Sequence, residues 1–219
     1  MEIKWYGQSC FALQTKKVKI IIDPYSDSIG LKLPLQLTAN IVLVTHNHQD
    51  HNNVEAISGN NGEKPFRITG PGEYEVSGIY FHGIGSFHDK LEGKERGLNT
   101  IYTIDDGNIR LCHLGDLGTG LSDEQLEQIG EVDILFVPVG GTYTIDVAKA
   151  VAVIGQIDPK IVIPMHYQLP GLQVDLAEVG EFLEAEGISN KEACEVYRVA
   201  KSDLPAEERD VVIFKAQNK

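Results

Sequence analysis

A chain of 219 residues with 42% apolar and 23% charged residues has the size and composition of a globular domain with a sizeable core. Its 32 acidic and 19 basic residues give a formal net charge of −13, which argues against a partner held by general attraction to nucleic-acid phosphates or an anionic membrane. Three widely spaced cysteines (Cys10, Cys112, Cys194), no signal-peptide pattern at Met1–Tyr6 and no apolar run of spanning length read as reduced thiols in a cytoplasmic protein.

In chain order, Met1–Tyr6 starts in a strand-like pattern. Cys10–Leu13 and Val18–Ile22, split by the polar Thr15–Lys17, predict an antiparallel hairpin that ends at Asp23-Pro24. Ile41–Val44 reads as a buried strand, Asn52–Ile57 as a short helix, and Phe66–Ile68, Ile79–Phe81, Thr100–Ile104 and Ile109–Cys112 as strands. Asp105–Asn108 is a hairpin turn between the last two. Ser122 with Gln125 signals a capping box for a helix ending near Gly130. Beyond it come strand 132–137, helix 145–154, strand 160–164, helix 176–186 stopped by Gly187, and strand 211–214. Strands first, then strands alternating with helices, predict one domain over 1–219, of α/β (α+β) class, with two sheets covered by helices.

The densest chemistry is the stretch Thr45-His46-Asn47-His48-Gln49-Asp50-His51, three imidazoles and a carboxylate directly after the buried strand. Imidazole nitrogen and carboxylate oxygen are ligands of Zn²⁺ and related ions, and four so close suit a turn feeding two neighbouring metal positions. The spacing H-x-H-x-D-H resembles the signature loop of the metallo-β-lactamase superfamily. Gly70–Tyr74, Arg96–Asn99, Val137–Gly141 and Pro164–Tyr167 are similar to its compact branch of zinc-dependent hydrolases related to ascorbate-6-phosphate lactonase.

The resemblance implies a four-layer αββα sandwich with metals at one edge of the sheets. It assigns His46, His48 and His88 to a first metal, Asp50, His51 and His166 to a second, and Asp116 between them. His82 competes with His88, but lies inside a strand-like run, whereas His88 follows Gly83 and Gly85 in what reads as a loop. Asp23 is expected to brace the metal loop. His113 alternates with Ile109 and Leu111 and reads as a buried, hydrogen-bonded histidine. Two divalent ions, Zn²⁺ or else Mn²⁺ or Fe²⁺, imply a shared hydroxide as nucleophile. Asp50 is a candidate proton relay, and Tyr167 is an oxyanion donor or a packed core tyrosine. Arg96, with Gly141 and Thr142 ahead of a helix, offers anion-binding groups, against the plainer reading of a strand-to-helix turn.

The expected function is metal-dependent hydrolysis of a small, anionic ester, lactone or phosphoester, with no partner beyond that substrate. The sequence leaves the oligomeric state open. Three alternatives stand beside it. A nuclease or phosphodiesterase acting on nucleic acid lacks room here for an added binding domain. A di-iron redox protein resembles H-x-E-x-D-H, with Glu where this chain has His48. A non-catalytic metal-binding or scaffolding protein is the third, and the complete ligand set argues against it.

Overall fold

The computed structural model describes residues 1–218, the Asn61 side chain aside. The strands are β1 (Glu2–Gly7), β2 (Cys10–Gln14), β3 (Lys19–Ile22), β4 (Thr38–Ala39), β5 (Ile41–Leu43), β6 (Ser58–Gly59), β7 (Phe66–Ile68), β8 (Gly72–Val76), β9 (Ile79–Phe87), β10 (Leu98–Asp105) and β11 (Arg110–His113). Then α1 (Asp123–Ile129), β12 (Ile134–Pro138), α2 (Val147–Ile157), β13 (Ile161–Met165), α3 (Val179–Ala185), β14 (Tyr197–Arg198) and β15 (Asp210–Val211) complete the chain.

Two sheets form, ordered β14-β1-β2-β3-β5-β7 and β15-β13-β12-β11-β10-β9-β8, and β4 pairs with β6 alone. The continuous apolar runs explain the six-stranded sheet. Side chains alternate between faces along a strand, so a run without polar residues is buried on both. Phe11, Leu13, Ile20, Ile22, Ile41 and Leu43 enter the core shared with the second sheet, while Cys10, Ala12, Ile21 and Val42 enter a second cluster behind it. Phe11 meets Phe136 of the opposite sheet at a centroid distance of 4.6 Å. Such a pair contributes ~0.5–1.5 kcal/mol beyond its buried area.

The layers follow the expected sandwich, with one difference. Helices α1 and α2 lie on the seven-stranded sheet, α1 against β9 and α2 against β12, and α3 packs on α2. The outer face of the six-stranded sheet is closed instead by irregular chain carrying Tyr25, Ile29, Leu31, Leu33 and Leu37, with single 3-10 turns at Asp27–Ile29 and Val54–Ala56. The second turn replaces the helix expected over 52–57. The helix expected from 145 starts at Val147, because the Asp146 side chain accepts from the Lys149 N–H and caps it there. The helix expected from 176 starts at Val179, and the last strand shrinks to Asp210–Val211. No helix of the described residues is long and apolar enough to cross a membrane.

Strand direction places the site. Strands β3 and β5 are parallel, as are β11, β12 and β13. Strand β9 runs antiparallel to β10, and β10 antiparallel to β11, so β9 ends where β11 ends. The residues following these C-terminal ends meet along one edge of the sandwich. They include Asp23, Thr45, His88, Asp116 and His166.

Candidate metal centre

Two groups of ligand atoms converge at that edge: His46, His48 and His88, and Asp50, His51, Asp116 and His166. Within each group every ligand atom lies within 4.8 Å of the others. His46 Nε2 stands 3.1 Å from His48 Nδ1. Oδ2 of Asp116 stands 3.1 Å from His166 Nε2, 3.3 Å from His51 Nε2 and 3.4 Å from His88 Nε2. His51 Nε2 is 3.5 Å from Asp50 Oδ2. Atoms held ~2.0–2.1 Å from one tetrahedral Zn²⁺ stand about 3.3 Å apart, so this spacing suits such an ion. His51 Nε2 is buried without a hydrogen-bond donor or acceptor of its own, which also fits a ligand atom.

Hydrogen bonds fix the tautomers that expose those nitrogens. Thr45 donates its N–H to Asp23 Oδ1 at 2.8 Å and its hydroxyl to Oδ2 at 2.7 Å. With that proton given away, Thr45 Oγ1 accepts from His46 Nδ1–H at 3.0 Å, leaving Nε2 free to ligate. His51 Nδ1–H donates to Asp23 Oδ2 at 2.9 Å, which likewise frees Nε2. Asp23 thus bonds both Thr45 and His51 of the loop, from a left-handed backbone with φ +47°. His113 accepts the Gly115 N–H on Nδ1 and donates Nε2–H to the Ser9 carbonyl, so both nitrogens are used and it is no ligand.

Charge is arranged to suit the same task. Burial drives the His46 imidazole down to about 2, helped by His51 nearby. Burial also lowers His88. Burial opposes ionisation of Asp116, yet His166 and His51 hold its carboxyl well below the usual range. Asp50 is likewise held low, burial being outweighed by His51. His51 goes the other way: burial lowers it, but Asp116, Asp23 and Asp50 raise it well above the ordinary imidazole value. Ionised carboxylates and neutral His46 and His88 are the forms that ligate metal.

Comparison with known proteins agrees with this geometry. The Beta-lactamase superfamily domain matches residues 2–166. A UPF0173 protein of Pyrococcus abyssi is 33% identical over 190 residues, 76% of this chain and 83% of its own. A crystal structure from Thermotoga maritima, described as a Zn-dependent hydrolase of the metallo-β-lactamase superfamily, is 34% identical with a TM-score of 0.78, covering 97% of this chain and 98% of that one. The chain belongs to the metallo-β-lactamase superfamily. A UPF0173 metal-dependent hydrolase of Methanocaldococcus jannaschii is 31% identical over 215 residues, 85% of this chain and 94% of its own. Within the superfamily this chain, too, is a metal-dependent hydrolase.

The superfamily site gathers most of the foreseen residues, with changes in how they are placed. His88 sits with His46 and His48, whereas His82 pairs across to Glu73 and Thr103 in mid-sheet. Gly83 and Gly85 do not form a loop. They continue β9 opposite Tyr102 and Thr100, and His88 is the first residue beyond the strand. Tyr167 follows His166, whose φ of +53° turns the chain. The Tyr167 ring lies in the core against Trp5, at a centroid distance of 4.9 Å, which favours the packing role over the donor role. Gly141 and Thr142 are not at a helix N-terminus, since α2 begins at Val147 under its own cap. With Arg96 they line a cavity of about 180 Å³ that also borders His88. The Arg96 guanidinium lies 4.1 Å from the centre of the Tyr143 ring. Three buried polar residues at the site escaped the sequence reading: Thr45 as the link between Asp23 and His46, Ser9, and the amide role of Asn99.

Proposed function

We propose that the chain is a dinuclear, zinc-dependent hydrolase of a small anionic ester, lactone or phosphoester. The observation that carries this reading is the single oxygen, Asp116 Oδ2, which neighbours His88 on one side and His51 and His166 on the other. One carboxylate oxygen of the second group thus also stands 3.4 Å from a histidine of the first. Mn²⁺ and Fe²⁺ suit the same nitrogen and oxygen donors. Two such ions, when bound, supply a water of lowered pKa and Lewis acidity at the bond to be cut.

The chain's own residues do the rest. Two carboxylates bring −2 to a seven-residue set that would hold +4, so the site attracts an anion although the chain carries −13. Arg96, steadied over Tyr143, faces the cavity beside His88 and is placed to hold the anionic end, with Gly141 and Thr142 on the same wall. Asp50 is 24% accessible at its side chain and kept ionised by His51, which suits it to accept a proton and pass it to the leaving group. The three free cysteines, two of them buried, support a reducing, cytoplasmic setting. The expected partner is the small-molecule substrate alone.

The test is elemental analysis after Zn²⁺ loading, followed by assay against lactones, thioesters, carboxyl esters and phosphodiesters. Two equivalents of metal and turnover of one of these classes are expected. Saturation at one equivalent, unchanged in His166→Ala, would remove the dinuclear assignment.

A further inference from the structure

We propose that Ser9 and Asn99 are positioning residues that grip Asp116 from two sides, so that Oδ2 alone is presented to both metal positions. The inference rests on the dinuclear reading above and extends it to residues that touch no metal.

A carboxylate has two equivalent oxygens and about four lone-pair directions. Left to rotate, it offers either oxygen, or one to each ion. In Asp116 the two are made unequal. Oδ1 accepts from the Ser9 hydroxyl at 3.3 Å, and Oδ2 faces the three imidazoles. A hydroxyl bond of 3.3 Å is long, so its orienting power depends on how firmly Ser9 is held.

Ser9 is held on every side. Its carbonyl accepts His113 Nε2–H at 3.0 Å. The carbonyl of Gln8 before it accepts the Trp5 indole N–H at 2.9 Å and the His166 N–H at 3.2 Å. Gln8 itself has φ +49°, a conformation that needs such contacts to persist. The turn between β1 and β2 is therefore tied to one metal ligand through its backbone and to another through a side chain.

Asn99, at the start of β10, grips the other side. Its Oδ1 accepts the Asp116 N–H at 3.0 Å, while Nδ2 donates to Leu114 O at 2.9 Å and to Ser86 Oγ at 2.8 Å. The whole amide is used, which fixes which end points at Asp116. The close approach needs Gly115 between them. At its φ of +56° a Cβ would collide with Asn99 Oδ1 and the Thr45 side chain. Ser9 and Asn99 are 0% and 1% exposed, so water does not replace either bond. Ser9 lies beside the six-stranded sheet and Asn99 in the seven-stranded one, and the grip thus fixes the carboxylate relative to both.

The experiment compares wild type with Ser9→Ala and Asn99→Ala by Zn²⁺ competition against a chromophoric chelator, alongside thermal melting of the metal-free forms. The loss of a bond that orients a ligand costs ~10–100-fold in metal affinity. At least one of the two Zn²⁺ dissociation constants should therefore rise about 10–100-fold in Ser9→Ala. The metal-free melting temperature should stay close to that of wild type. A Ser9→Ala protein that binds both ions with unchanged constants overturns the proposal, whatever its melting temperature. Should Asn99→Ala fail to fold, Ser9→Ala decides alone. A wild-type protein that takes up only one Zn²⁺ overturns the dinuclear reading instead, so the two failures are told apart.

Discussion

The two groups of candidate ligands differ in charge and in enclosure. His46, His48 and His88 bring no charge of their own, and His48 is only partly buried. Asp50, His51, Asp116 and His166 bring two carboxylates, and all but Asp50 are buried. Asp23 braces His51 directly and reaches His46 through Thr45, while Nδ1 of His88 and of His166 has no hydrogen-bond partner among the described residues. The cavity with Arg96 opens beside His88. The difference teaches a division of labour. The anionic group would neutralise a bound ion more fully and leave it the weaker electrophile. The neutral group would leave more of an ion's charge, beside the cavity that Arg96 lines.

Asp116 is where the comparison would break most completely, since under the proposed dinuclear reading it serves both groups. Asn is nearly isosteric but neutral. Asp116→Asn should fold, bind both ions more weakly and lose at least ~100-fold in kcat, the upper range for loss of a mere ligand-orienting contact. Turnover of the identified substrate at an undiminished rate, with both metals bound, would show that no carboxylate joins the positions.

The neutral position alone is addressed by His88. His88→Ala should drop Zn²⁺ stoichiometry from two to one and remove most activity. His82→Ala, in mid-strand away from both ligand groups, should keep two ions and change stability by less than ~0.5 kcal/mol. Metal loss in His82→Ala, with His88→Ala intact, would reverse the assignment.

What was readable in the sequence follows from how local each signal is. The loop His46–His51 announces itself because four ligand residues fall within six positions. Asp116 and His166 were legible through the family resemblance, from their order behind that loop, each just past an apolar strand; alone, Gly115-Asp116 reads as an ordinary turn. Residues whose role is set by packing between sheets gave no such signal. Ser9 reaches Asp116 across 107 positions, and nothing in a lone serine after Gly7-Gln8 foretells that. Asn99 lay inside a noticed motif, but its amide contacts depend on the close approach at Gly115. Tyr167 read equally as donor or core residue, because adjacency to His166 does not reveal the left-handed backbone that sends the ring into the core. For the fold, doubly buried runs predicted the central strands well. The short edge strand β8, Gly-Glu-Tyr-Glu-Val, carries its polar residues on an exposed face and was passed over. The irregular cover over Ile21 and Val42 has no period to read.

The smallest expected effect separates the neutral position from the anionic one by proton linkage. Burial holds His46 at about 2 in the folded, metal-free protein, against 6.5 for an ordinary imidazole. Between those values the unfolded chain binds a proton that the folded chain does not. Stability from this group is complete above 6.5 and is lost as pH falls, by at most ~1.4 kcal/mol per pH unit. His51 has the opposite sign. Its raised value adds stability that is present below 6.5 and lost as pH rises through its folded value. The two act in different windows, His46 below 6.5 and His51 above it, so a comparison between pH 6 and pH 5 reads His46. Urea unfolding of metal-free wild type and His46→Gln at pH 6 and pH 5 should show the wild type losing up to about 1.4 kcal/mol more than the variant over that unit. Equal losses in both would mean that His46 is not held neutral by its burial, and the neutral character of its position would have to be given up.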